Sequence, residues 1–153
     1  MKTLEYIDLS LFFFINQTCS TKLLDLFMPF ITNQKNWIIP IILMIFILML
    51  KTGKRGRITL GVLIICIGMT DLISAQIVKP WIGRIRPSHE IIDQINLLVN
   101  KGGKWSFPSN HAANSMALTV IIGYFYRKYK SFLILLTLII GISRVYVGVH
   151  YPF

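Results

Sequence analysis

The chain has 153 residues, 54 % hydrophobic and only 14 % charged, with a formal net charge of +10 at pH 7. That length suits one compact domain rather than two. A mean hydropathy of +0.64 and recurring apolar runs exclude an ordinary soluble protein and predict a polytopic membrane protein with helical spans. The positive charge does not point to nucleic acid. Seven basic residues lie in two short linkers between apolar runs, Lys51, Lys54, Arg55 and Arg57, then Arg127, Lys128 and Lys130. This is the positive-inside pattern and assigns both linkers to the cytoplasm.

In chain order, residues 4–31 hold two apolar runs interrupted by Asp8 and Asp25. They are expected to be amphipathic helices at the interface, making residues 1–35 an N-terminal interfacial part, with a re-entrant or spanning helix as the alternative. The stretch "LSLFFFI" lacks a small-residue cleavage site and is expected to be retained. Cys19 and Cys66 form no metal spacing and no disulfide framework. Residues 36–153 are expected to be the transmembrane core of a single domain. A first span covers about 37–50, short enough to borrow preceding residues. The clearest spans follow at 58–78, 110–126 and 131–149. With the basic linkers inside, span 58–78 runs outward, 79–107 is an outer loop, span 110–126 runs inward, and His150 emerges on the outer side again.

Three polar clusters therefore share the outer face: "KPWIGRIRP" (79–87), "FPSNH" (107–111) and "SRVYVGVH" (143–150). Fixed cations beside a helix N-terminus make an anion site, because first-turn N–H groups and the helix dipole both favour negative charge. Ser109 or Asn110 is expected to cap that helix. Arg144, inside an apolar run, must face the bundle interior and a partner. Six residues of helix rise about 9 Å, which an Arg side chain largely covers toward a ligand near His150. Arginine forks match phosphate oxygens. Two histidines beside bound phosphate suit chemistry: one attacks phosphorus and the other protonates the leaving oxygen. No metal-ligand spacing appears, so cations must neutralise the phosphoryl charge. Arg84 suits a ligand contact or a loop position equally, and the mid-span Asp71 is expected in an interhelical hydrogen bond.

Lys79, six residues, Arg86-Pro87; Pro108-Ser109-Asn110-His111; Ser143-Arg144, five residues, His150: this order resembles the three-part signature of the type-2 phosphatidic acid phosphatases, the superfamily that also contains vanadium haloperoxidases. The resemblance covers residues 79–150. It implies an all-α polytopic membrane bundle with the site at the extracytoplasmic face. It implies His150 as the nucleophile that forms a phosphohistidine and His111 as the acid for the leaving group. It implies Lys79, Arg86, Ser109, Asn110 and Arg144 as the phosphate-binding set, with no metal or other cofactor. The chain departs from the pattern in two places. Asn110 stands where the family usually has Gly, and Asn tolerates unusual backbone angles well. The family's third motif continues through three residues past the His to an Asp; residues 151–153 supply those three, and the sequence ends where that Asp would stand. The expectation is therefore a truncated form that lacks this orienting Asp and the final helix.

The expected function is a lipid phosphatase that hydrolyses a phosphomonoester or pyrophosphate of a lipid. Its expected setting is a bacterial inner membrane, with the bilayer and a lipid phosphate or pyrophosphate as partners. Neither nucleic acid nor an obligate protein partner is expected. The alternatives are phosphoryl transfer to another lipid, a non-catalytic anion- or lipid-binding membrane protein because the orienting Asp is missing, and a channel or transporter subunit with the outer cations as its vestibule.

Overall fold

A computed structural model describes residues 2–153. Among them there is no strand, only an isolated bridge between Ile85 and Trp105. Helix α1 (Lys2–Phe13) runs into a π turn at Phe14–Thr18, and α2 (Lys22–Thr32) starts where the Thr21 side chain accepts the Leu24 N–H. A 3-10 turn, Gln34–Trp37, leads into α3 (Ile38–Leu50). The α2 axis and the 34–50 segment meet at 65°, so the expected first span is one half of a bent pair.

Helix α4 (Gly53–Ile73) continues through a π turn, Ser74–Val78, into α5 (Lys79–Ile82). Together they make one helical stretch of 30 residues. At 1.5 Å per residue it spans about 45 Å, ample for a bilayer. Gly83 ends it in the left-handed conformation, φ +63°. A short α6 (Pro87–Glu90) and an irregular loop lead to α7 (Asn110–Phe125), then α8 (Lys130–Tyr146). Only 17 % of the apolar window of Gly53–Ile82 is buried, and 33 % of that of the 127–146 stretch. Apolar surface left uncovered by protein to that extent is surface for lipid.

Helix α7 packs between α4 and α8 around Leu63, Ile121, Ile122 and Leu133. At the other end of the bundle the N-terminal helices wrap the end of α8. Phe12 packs with Val145 and Tyr151, and Leu24 and Met28 pack with Tyr146, Val147 and Val149. The Arg55 guanidinium donates to the Phe125 carbonyl, which draws the two basic linkers to one end of the molecule.

The expected span 131–149 needs a correction. Helix α8 stops at Tyr146, and Gly148 turns the chain at φ +83°. The N–H groups of Val149 and His150 both point back to the Arg144 carbonyl, each at 3.2 Å. A Cβ on Gly148 would meet the Asn96 carbonyl at 3.0 Å, so both the dihedral and the space call for glycine. His150 reaches Arg144 by a tight turn, not along 9 Å of helix.

Candidate active site

The end of α8 is held from three sides. Ser143 is fully buried and its hydroxyl donates to the Ile140 carbonyl. Arg144 is 7 % exposed, and its Nη1 donates to Thr32 Oγ1 at 2.8 Å, which ties α8 to the end of α2. The fully buried Asn16 donates from Nδ2 to the carbonyls of Tyr146 and Asn96 and accepts the Asn96 N–H. The Tyr146 hydroxyl donates to Asp25. These bonds leave the 147–150 turn little freedom, which is what a positioned His150 needs.

The first motif divides into residues with different tasks. Arg86 is buried; its Nε donates to the Trp105 carbonyl and its Nη1 to that of Lys101. Its guanidinium lies so close to Gly102, which sits at φ +68°, that a Cβ there would collide with it. Arg84, for which two readings stood open, is a structural residue. It pairs with the buried Asp8, donates to the Phe153 carbonyl, and lies 4.1 Å above the Tyr151 ring. Lys79 lies at the junction of the π turn with α5.

The second motif opens α7. Ser109 stands at the N-cap position, but its side chain makes no capping bond, and neither does any other. This corrects the expected side-chain cap: the first-turn N–H groups stay open to a ligand. The Asn110 side chain is turned sideways. Its Nδ2 donates to Asp71 Oδ1 at 2.8 Å, and its Oδ1 accepts from the Ser74 hydroxyl at 2.8 Å. Asn114 also donates to Asp71 Oδ1 at 3.0 Å. Asp71 is thus the expected interhelical hydrogen-bonding acid, and it clasps α4 to the first turn of α7. Asp71→Ala is expected to destabilise the protein by about 1–2 kcal/mol, since interhelical hydrogen bonds in membranes are of that size. Thermal unfolding in detergent measures it, and an unchanged transition would show that the clasp carries no stability.

Arg86, His111 and Arg144 line one polar cavity of about 570 Å³. Lys79, Arg86 and Arg144 all act on His150. Burial first, then the charges of Arg86, Arg144 and Lys79, push its pKa down to about 2, so the imidazole is neutral with a free nitrogen lone pair. Among the described residues the ion pair is Arg84–Asp8, and Lys79, Arg86 and Arg144 have no acidic partner. Arg144 Nε and Ser109 Oγ are buried without any hydrogen-bond partner. Buried polar groups are nearly always satisfied, so the site has room and donors for an anion. A second cavity of about 530 Å³ also reaches His111; Ile41, Ile67, Leu118, Leu136 and Ile140 give it a mainly apolar wall, which Asp71 and Asn114 interrupt.

Sequence spacing did not reveal Thr32, Asn16 or Asp8. A signal existed for the last two: Asp8, Phe12 and Asn16 recur every four residues, the spacing of one helix face, and all three are buried.

A family profile described as the PAP2 superfamily matches residues 56–153. The chain is 31 % identical over 135 residues to a lipid A 4'-phosphatase of Porphyromonas gingivalis, covering 84 % of this chain and 57 % of that protein. It is 31 % identical over 157 residues to a lipid A 4'-phosphatase of Bacteroides thetaiotaomicron, covering 97 % of this chain and 69 % of that protein. The chain therefore spans little more than half to about two thirds of these relatives. Among solved structures, Aquifex aeolicus LpxE superposes with a TM-score of 0.77 at 26 % identity, over 95 % of this chain and 84 % of that one.

Proposed function

The chain belongs to the PAP2 superfamily, and from that membership and its unpaired cations we propose that it is a membrane phosphatase acting on a lipid phosphomonoester or pyrophosphate. The observation that carries this reading is the cavity lined by Arg86, Arg144 and His111, whose two arginines, together with Lys79, also act on His150, while none of the three cations has an acidic partner among the described residues. Cations held together at that cost require an anion to relieve them, and the histidines supply the chemistry. The apolar cavity that shares His111 favours a lipid as the carrier of the phosphate. The relatives described as lipid A 4'-phosphatases support the same class.

The reaction runs in two steps. A nitrogen of neutral His150 attacks phosphorus; the P–O bond to the lipid breaks, and the departing oxygen takes a proton from His111. Water then attacks the phosphohistidine, His111 takes back a proton, and the P–N bond breaks to release phosphate. Negative charge on the equatorial oxygens is held by Lys79, by the forks of Arg86 and Arg144, and by the open N–H groups at the start of α7. The basic linkers lie at the end of the bundle away from this site, which supports an extracytoplasmic site.

Phosphate release by the purified chain in detergent, from a panel of lipid monophosphates and lipid diphosphates, tests the reading. Release from at least one of them is expected. Release from none, with phosphate still bound, would leave an anion-binding protein in its place.

A further inference from the structure

Gln34 and His111 each border both cavities, the polar one and the apolar one. The wall of the polar cavity away from the three motifs is the bend between α2 and α3, represented by Thr32, Asn33, Gln34 and Lys35. This stretch precedes the matched region 56–153. It is a built feature. Asn33 Oδ1 accepts the Lys35 N–H at 3.1 Å, Asn36 Nδ2 donates to the Phe30 carbonyl at 2.8 Å, and Trp37 Nε1 donates to the Ile31 carbonyl at 2.7 Å. Arg144, itself a phosphate-site cation, fixes the bend through Thr32. Lys35 lines the cavity from this hydrogen-bonded bend. It is exposed and has no ion pair among the described residues.

The cavity's volume of about 570 Å³ is that of pockets that take whole small molecules, not a single phosphoryl group. Resting on the phosphatase reading, we propose that Lys35 is a specificity residue. It receives a second anionic group on the lipid's polar head, distinct from the phosphate attacked by His150. An ammonium on a flexible stem suits this task, since it binds phosphate as a point charge without demanding one geometry. The second anion is either the neighbouring phosphate of a diphosphate or a separate phosphate elsewhere on the head.

The test compares wild type with Lys35→Ala on three lipids: phosphatidate with one phosphate, a polyprenyl diphosphate with two linked phosphates, and phosphatidylglycerophosphate with two separate ones. For the preferred two-phosphate lipid KM is expected to rise about tenfold with kcat nearly unchanged, the signature of lost uniform binding. Phosphatidate kinetics should shift by less than about twofold, and Lys35→Arg should restore the preference. Which two-phosphate lipid responds identifies the source of the second anion. Equal effects on all three lipids, or none, overturn the proposal. Thermal shifts with pyrophosphate, glycerol bisphosphate and orthophosphate read binding without turnover. In wild type a two-phosphate compound should stabilise more than orthophosphate, and Lys35→Ala should erase the difference. If no lipid is cleaved but this difference appears and is erased, the phosphatase reading fails while the Lys35 assignment stands. If the difference persists in the variant, the assignment fails.

Discussion

Replacing His150 with Asn is expected to lower phosphate release by about 10⁴-fold or more, the order seen when a covalent nucleophile is removed. The side chain is 3 % exposed and stands in the turn that Gly148 and the Arg144 carbonyl define. Asn is polar and small enough to occupy the same place, so the fold should survive and the loss should be chemical. With a lipid labelled at the cleaved phosphate, wild type quenched without acid should carry label on the protein; the variant should carry none. Label retained by the variant would remove His150 from the nucleophile's role. The pH dependence has a definite sign. Burial and three cations hold the folded-state pKa down at about 2, while an unfolded His titrates near 6.5. Below about pH 6.5 the unfolded chain binds a proton that the folded chain does not, so stability falls as pH drops and is flat above. In His150→Asn that portion of the acid sensitivity should disappear.

For Arg144 the expectation is a separation of activity from stability. Arg144→Met should lower kcat/KM by about 10³-fold, the scale of losing a preorganised donor to developing charge, with little change in melting temperature, because loss of the Thr32 hydrogen bond offsets the relief of an uncompensated buried charge. The reason lies in the geometry. The guanidinium is buried near other cations, its Nε has no hydrogen-bond partner, and among the described residues its side-chain hydrogen bond is the one to the Thr32 hydroxyl. Replacing a buried charge that lacks a counter-ion by an apolar side chain of similar length is neutral or stabilising. Arg144→Lys keeps the charge and loses the fork, so an intermediate loss of about 10²-fold is expected. Phosphate release and thermal unfolding in detergent on the same preparations decide the matter. A large fall in melting temperature with activity retained would make Arg144 a structural residue.

The three motifs stood out in the sequence because each is short and local, and linker charge led to the expectation that they share one face; the structure brings Arg86, His111 and Arg144, one from each motif, to a single cavity. The bend at Gly148 was hidden by composition: Val145, Val147 and Val149 keep hydropathy high past the true end of α8, and only the glycine marks the stop. Thr32 and Asn16 were illegible for another reason. Their partners lie 112 and up to 130 positions away, and no local pattern encodes a contact of that separation. The Asp8–Arg84 pair, 76 positions apart, belongs with them; an acid in an apolar run was visible, but not its partner. Asn110 illustrates a third case. Its place in the second motif was evident, but its side chain serves Asp71 and Ser74, which only the packing of α4 against α7 reveals.

The meeting of an oily cavity and a wet one at His111 bears on how a substrate would arrive. Drawing a lipid fully into water costs about 0.8 kcal/mol for every methylene exposed, a barrier that grows with each carbon of the tail. On the lipid-phosphatase reading, a mainly apolar recess among helices whose outer faces meet the bilayer would lower that barrier. The tail would pass from one apolar medium to another, and only the head would cross into the charged chamber. Encounter would then be a search in two dimensions, governed by the substrate's mole fraction in the membrane rather than by its concentration in water.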